Sequence, residues 1–330
     1  ADPGPAAYRR GGPLTVTDAN VMTGKLRPEY FPAIFGPSRD QTLDADAVRA
    51  RFETLAAAIG DGRSPEEIAD GFLRIAVENM ANAIKKISVQ RGYDVTSYVL
   101  NCFGGAGGQH ACAVADSLGM TQVLIHPFSG ILSAYGMGLA DIRAHRTRAV
   151  VRKLDAETLA ALKTLAETLQ ADVESELQQQ GVSDSSVSIF ARAHLRYDGT
   201  DTPIPIEAMA NGEWMALAAL HDAFEAAHRK QFGFVFEGKA VVVESLEVEA
   251  VGGGAAIVEP AEAASPHAAE TATRARIFSG GRHHEAGVYR RSDLTRGALI
   301  AGPALIVEPH QTIVVEPGWR AEITARDHVV

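Results

Sequence analysis

The chain has 330 residues, 46% of them hydrophobic and 22% charged, a balance that fits a globular protein long enough for two domains. Its net charge of -10 is spread along the sequence, and no basic stripe interleaves with aromatics, which excludes nucleic acid as the expected partner. Two cysteines, Cys102 and Cys112, are too few for a disulfide framework; they read as small buried residues rather than nucleophiles.

No apolar run reaches the length of a membrane span, so no membrane partner is expected. No Cys/His spacing suggests a structural zinc site, and no metal ligand is predicted. The opening Ala1-Asp2-Pro3-Gly4-Pro5 lacks the basic start and apolar stretch of a signal peptide and has no initiator Met. It reads as the interior of a longer protein or a processed chain, and the cytoplasm is the expected location.

Residues 1–40 are rich in Pro and Gly and predict ordered loop and strand, with Asp18 and Asn20 in a polar turn. A helix is expected over 44–59, carrying Val48, Phe52, Leu55 and Ile59 on one face. Ser64-Pro65-Glu66-Glu67 is a capping box that opens a second helix, which Gly92 can stop. The run Thr96–Phe103 predicts a buried strand, followed by a glycine cluster, a helix over 109–118 and a strand over 121–126.

A less regular helix is expected over 131–142, then a strand over 143–151. The stripe Leu162, Leu165, Leu169, Val173 and Leu177 predicts a long helix over 155–180 that packs within the molecule. Strands over 187–196, 202–206 and 240–251 and a helix over 214–232 complete this part. Residues 252–273 read as a flexible linker from their Ala, Gly, Glu and Pro content. The tail from Arg274 is β-like. The expected division is 1–150, with α/β order, and 151–330, an α+β domain.

The most informative stretch is Asn101-Cys102-Phe103-Gly104-Gly105-Ala106-Gly107-Gly108-Gln109-His110-Ala111. A backbone almost bare of side chains lets a flat ligand approach it, and the helix that follows offers free N–H groups at its positive end. A Walker A loop would need Gly-Lys-Ser/Thr, where this chain has Gly108-Gln109-His110. A dinucleotide loop would need a third glycine where His110 stands. The remaining alternatives are a nucleotide loop of another kind and a tight turn that packs a helix on a sheet.

Ser129 and Ser133 flank Gly130 without a nucleophile-elbow pattern. His283-His284 reads as a solvated loop, and His194, Asp198 and Asp201 as a polar turn near a strand end.

The stretch from Phe103 to Ala111 closely resembles the glycine motif of the hydantoinase A/5-oxoprolinase family. Asp2–Asn20, Tyr30–Pro37 and Gly302–Glu308 resemble further motifs of that family in the same order. Gly108-Gln109 and the Tyr30–Pro37 spelling are nearer to 5-oxoprolinases than to N-methylhydantoinases or acetone-type carboxylases. Ala7 departs from the family, which commonly has Cys there.

The resemblance implies an α/β fold, the second lobe of an actin/hexokinase-like ATPase followed by an α+β, β-rich C-terminal domain. It implies ATP as cofactor, with adenosine against Gly104, Gly105, Ala106, Gly107 and Gly108 and within reach of Gln109 and His110. It leaves Asp18 and Asn20 as possible cleft residues. No counterpart of the family's Asp-x-Gly-Gly-Thr phosphate loops is present, so Mg2+ and its ligands are expected outside this chain.

The implied chemistry is lactam hydrolysis: ATP phosphorylates the resonance-shielded carbonyl oxygen of a small cyclic amide, and water then opens the ring. The implied partners are a missing N-terminal lobe and a hydantoinase B-type subunit or domain. The alternatives are a subunit of an acetone-type ATP-dependent carboxylase or N-methylhydantoinase, and a non-catalytic nucleotide- or partner-binding module when the chain is isolated. The isolated chain is expected to be inactive.

Overall fold

The computed structural model describes residues 2–182, 187–253 and 259–330. The chain forms two compact units. The first comprises Ala1–Val89, Tyr93–Tyr135 and Glu259–Val330; the second comprises Gln90–Gly92 and Gly136–Val258.

The first helix, α1, spans Val16–Met22, where the sequence predicts loop and strand. The β-branched start of this segment, Val16-Thr17, masks a local cap. The Asp18 carboxylate accepts from the Thr15 amide at 2.7 Å and the Thr15 hydroxyl at 2.8 Å, which closes the helix start. Asp18 and Asn20 therefore sit on a helix, not in a turn. Helix α2 (Ala45–Ile59) and helix α3 (Pro65–Gln90) follow as expected. At the start of α3 the Ser64 amide donates to Glu67 at 2.7 Å, and the Glu67 amide donates to the Ser64 hydroxyl at 3.2 Å. Val21, Met22, Val48, Phe52, Ile68 and Leu73 pack α1, α2 and α3 into one apolar cluster.

Strands β1 (Leu100–Cys102) and β2 (Val123–Ile125) pair in parallel, with helix α4 (Ala111–Leu118) between them in sequence. Helix α5 covers Leu132–Leu139.

The second unit is an antiparallel sheet backed by two helices. Its elements are β3 (Ile142–Lys153), α6 (Ala156–Gln179), β4 (Ser188–Tyr197), β5 (Ile204–Ala210), β6 (Glu213–Trp214), α7 (Leu217–Phe232) and β7 (Val241–Gly252), and the strand order is β3-β7-β4-β5-β6. Side chains along β4 alternate between buried and partly buried, the period of a sheet with one covered face. Leu162, Leu169, Val173 and Leu177 of α6 and Leu220 and Phe224 of α7 cover that face. Each buried leucine contributes about 1.5–3 kcal/mol. A boundary at residue 150 falls inside β3, whose pairing with β7 runs from Ile142 to Lys153.

The first unit is completed by β8 (His267–Ala268), β9 (Arg274–Ser279), β10 (Arg282–Arg290), β11 (Ala298–Ala301), β12 (Ala304–Val307), β13 (Thr312–Val315) and β14 (Arg320–Glu322). They form two sheets, β13-β12-β10-β9 and β14-β11-β8. The sequence reading groups residues 259–330 with the C-terminal domain, but they pack with the first unit because Ala298, Ile300, Ile306 and Ile313 share a core with Val77, Cys102, Val114 and Val123.

Of the expected linker over 252–273, residues 254–258 lie outside the described residues. From residue 259 onward the segment is not free. Glu259 is held by two histidines, the Glu262 amide donates to the Ala325 carbonyl at 2.9 Å, and β8 pairs in parallel with β11. His283 and His284, expected in a loop, lie on β10. Among the described residues, no helix is long and apolar enough to cross a membrane.

Candidate functional site

Beyond the carboxyl ends of the parallel strands β1 and β2 lie two adjoining turns, the position where ligands meet α/β sheets. The Gly104 amide donates to the Ser129 carbonyl at 2.8 Å and joins them. Gly104 has φ +91°, a conformation that favours glycine. Gly105, Gly107 and Gly108 lie in close packing. A Cβ on Gly105 would lie 2.9 Å from the His310 carbonyl oxygen, one on Gly107 2.8 Å from the Cys102 Sγ, and one on Gly108 3.0 Å from Ile313.

The turn is thereby seated on the start of β13, while Gly105 and Ala106 stay exposed to solvent and Gly104 half-exposed. Phe103, Phe128 and Ile131 flank it, 57%, 48% and 59% exposed. Beneath it, the Gln311 side chain donates to the Ser129 hydroxyl at 2.8 Å and to Glu308 at 2.9 Å.

The chain then makes one turn of 3-10 helix, Gly107–Gln109, and enters α4. Gln109 and His110 face away from the exposed turn and line a cavity of about 970 Å³ within the first unit. The faces of α3 and α4 form its walls, and Ser279, Gly280, Arg282, Glu316 and Pro317 contribute to the far side.

Its floor holds a buried ion pair. Lys25 Nζ donates to Glu316 at 2.6 Å and to the Ser279 hydroxyl at 3.2 Å, and that hydroxyl donates to the second Glu316 oxygen at 2.6 Å. Asp70 and Gln109 are only 8% and 7% exposed, and among the described residues neither side chain has a hydrogen-bond partner. Burial holds the Asp70 carboxyl above its usual range, against the pull of the Lys25 and Arg74 charges.

His110 is pushed down to about 4, first by burial and then by the Lys25 charge, with Glu316 opposing. It is neutral at pH 7. Its Nε2 lies 3.3 Å from the Asn20 amide nitrogen, so this ring nitrogen accepts and the proton sits on Nδ1.

The expected site residues are thus separated. Gly104, Gly105 and Ala106 present main chain to solvent, Gly107 and Gly108 shape the turn, and Gln109 and His110 line the cavity. Asp18 and Asn20 do not line it. Asp18 is fully buried, and its carboxylate is taken up by the amides of Ala6, Ala7 and Thr15 and the Thr15 hydroxyl. Asn20 supports His110 from behind. The residues that sequence reasoning missed are Lys25, Asp70, Ser279 and Glu316. Lys25 and Glu316 are 291 positions apart, and no local pattern links them.

One group of three side chains lies close enough to suggest a metal: His126, Glu259 and His328. Their hydrogen bonds point elsewhere. His126 Nδ1 accepts from the Phe128 amide at 3.0 Å, so its Nε2 carries the proton that it donates to Glu259 at 2.7 Å. That nitrogen has no lone pair for an ion. Tyr135 and His328 bond the same carboxylate at 3.2 and 3.1 Å, making a clasp. Burial pushes the Cys102 and Cys112 thiols up to about 11 and about 12, which suits inert core residues. His194 pairs with Glu247 across β4 and β7 at 3.4 Å.

Comparison with known proteins gives this arrangement a context. The chain is 37% identical over 334 residues to the 5-oxoprolinase 1 of Arabidopsis thaliana, an alignment that covers 98% of this chain and 26% of that protein. The crystal structure of ATP-dependent caprolactamase from Pseudomonas jessenii matches with a TM-score of 0.84 and 27% identity, over 100% of this chain and 48% of that one. The nucleotide-free structure of acetone carboxylase matches with a TM-score of 0.72 and 20% identity, over 98% of this chain and 47% of that one, a likeness of fold. The chain therefore spans about a quarter to a half of the proteins it matches. A hydantoinase/oxoprolinase model matches residues 1–146 and a hydantoinase/oxoprolinase C-terminal domain model matches residues 151–327, so the chain belongs to the hydantoinase/oxoprolinase family.

Proposed function

We propose that the chain is part of an ATP-dependent cyclic amide hydrolase of the 5-oxoprolinase kind, and that it supplies the surface on which adenosine rests. The observation that carries this reading is the turn Gly104-Gly105-Ala106: bare main chain at the carboxyl ends of two parallel strands, flanked by the exposed rings of Phe103 and Phe128. A purine needs a flat apolar face and close access to backbone groups, and this turn offers both.

In this reading the first unit is a lobe of an actin/hexokinase-like ATPase. Gly107 and Gly108 keep the turn low on β13, and Gln109 and His110 are the nearest polar side chains after it. ATP, when bound, supplies the phosphoryl group that activates the lactam carbonyl. The phosphate and Mg2+ ligands and the missing lobe belong to residues outside this sequence, ring opening belongs to a hydantoinase B-type partner, and the assembly is cytoplasmic. The residues described here bind and orient the nucleoside and shield one of its faces from water.

The test is calorimetric titration of the chain with ADP, comparing the wild type with Phe103→Ala and Ala106→Glu. Both positions are exposed, so neither change disturbs the core. Stacking of a base on an aromatic ring is worth about 1–3 kcal/mol, so a loss of about tenfold is expected for Phe103→Ala. Equal affinities in all three proteins reject the assignment.

A further inference from the structure

The cavity between α3 and α4 holds a hydroxyl that the proposed function does not use. Ser279 lines the cavity, is 9% exposed, and donates to Glu316 at 2.6 Å. Lys25 Nζ stands 3.2 Å from the same hydroxyl oxygen and 2.6 Å from the other Glu316 oxygen. A serine bonded to a carboxylate, with that carboxylate oriented by a third group, is an arrangement that activates a nucleophile.

The local backbone suits the role. Ser279 is the last residue of β9, and Gly280-Gly281 turns the chain into β10 with φ +58° and +78°, a two-residue hairpin that glycine permits. The turn fixes Ser279 on the final rung of the β9–β10 ladder, opposite Arg282. His284 Nε2 donates to the Ser279 carbonyl at 3.1 Å and steadies the same residue.

Gly280 also lines the cavity, and among the described residues its amide has no hydrogen-bond partner. A main-chain donor is thus left beside the hydroxyl for an oxyanion. Arg282 lines the cavity as well, is exposed, and forms no ion pair with a described residue. Opposite residues of an antiparallel pair share a face, so its charge lies on the Ser279 side of the sheet. Leu73, Val77 and Ala113 supply apolar wall.

We propose that Ser279 is a nucleophile that accepts acyl groups, with Glu316 as its base, and that the cavity takes a small activated ester whose acyl part is anionic. Oγ attacks the carbonyl carbon as its proton passes to Glu316, and Lys25 steadies the oxygen that loses it. The tetrahedral adduct collapses, the C–O bond to the leaving alcohol breaks, and that alcohol takes the proton from Glu316. Water then attacks the acyl-serine and gives a proton to Glu316, which returns it to Oγ as the acid departs. Ion pairing keeps Glu316 deprotonated, the form in which it can take a proton. Arg282 faces the anionic group. The step needs no nucleotide, so it stands apart from the adenosine surface.

The experiment treats the 330-residue chain with a fluorophosphonate, from which an activated serine displaces fluoride, and maps the adduct by mass spectrometry. The adduct is expected on Ser279 and absent from Ser279→Ala. Glu316→Gln, checked for native circular dichroism, should be labelled about a hundredfold more slowly, the usual weight of a general base. Ser279→Cys leaves the ion pair untouched, and its thiol should react with iodoacetamide about tenfold faster than Cys102 and Cys112, whose thiols burial pushes up. Release of nitrophenol should be faster from 4-nitrophenyl hydrogen succinate than from 4-nitrophenyl acetate, and Arg282→Ala should remove the difference.

A wild type that takes no phosphonate overturns the proposal, as does an adduct that Ser279→Ala retains. A Ser279→Cys thiol no more reactive than Cys102 overturns the activation by Glu316, including where Glu316→Gln does not fold. Equal rates on the two esters in the wild type overturn the anionic substrate.

Discussion

Replacing Lys25 by Met tests whether the cavity floor is organised by charge. Lys25 and Glu316 are 7% and 10% exposed at their side chains and 2.6 Å apart. Removing the cation leaves a carboxylate in a site that water barely reaches, a change that usually costs about 3–5 kcal/mol. Here the Ser279 hydroxyl still donates to Glu316 at 2.6 Å, which places the expected loss near the lower end, about 3 kcal/mol. Urea unfolding followed by Trp319 fluorescence reads the first unit, provided the only other tryptophan, Trp214, is changed to Phe.

The double variant Lys25→Met/Glu316→Leu removes both charges and should recover most of the loss, because a buried pair often stabilises no more than an apolar replacement. The His110 pKa should also rise from about 4 in Lys25→Met, since the Lys25 charge is the second cause of its depression. A single-variant cost below about 1 kcal/mol, or a double variant less stable than the single, would refute the reasoning.

Two further outcomes follow from groups beneath the site. His110 titrates at about 4 in the folded chain against about 6.5 unfolded, so the unfolded state takes up its proton first. Stability should therefore fall as pH drops from about 6.5 to about 4, by on the order of 3 kcal/mol, and His110→Gln should flatten the profile in that window. Asp18→Ala strands the amides of Ala6, Ala7 and Thr15 and should cost at least about 3 kcal/mol in the same urea assay; Asp18→Asn should recover only part, having one acceptor oxygen where the carboxylate uses two.

The helices with long apolar stripes were legible in the sequence because their partners are local. Ser64 and Glu67 name the start of α3, and the leucines of α6 name its buried face. α1 was not read, although Thr15 and Asp18 have capping-box spacing, because Val16-Thr17 speaks for strand and the helix is only seven residues long. The composition of residues 259–273 suggested freedom, but what fixes that segment is hydrogen bonding to β11, Ala325 and two histidines, none of which composition reports.

At the site, the glycine turn was visible as a motif. The reason for three of its glycines was not, since Cys102 Sγ, His310 and Ile313 become neighbours only through folding. The cavity floor was invisible for the same reason: Lys25, Asp70, Ser279 and Glu316 are unremarkable one by one.

The discontinuity of the first unit has a consequence for how the molecule is made. Ile125 and Val329 exchange backbone hydrogen bonds at 2.8 and 3.0 Å, and the core around β1 and β2 includes Ala321, Ile323 and Val329. A ribosome delivers residues in order, so the part of this core that Ala298, Ile300, Ala321, Ile323 and Val329 complete must wait while the whole of the second unit is synthesised. That intervening unit can finish folding first. Until residue 329 emerges, the nascent first unit lacks the side chains that complete the core around β1 and β2 and is open to aggregation there.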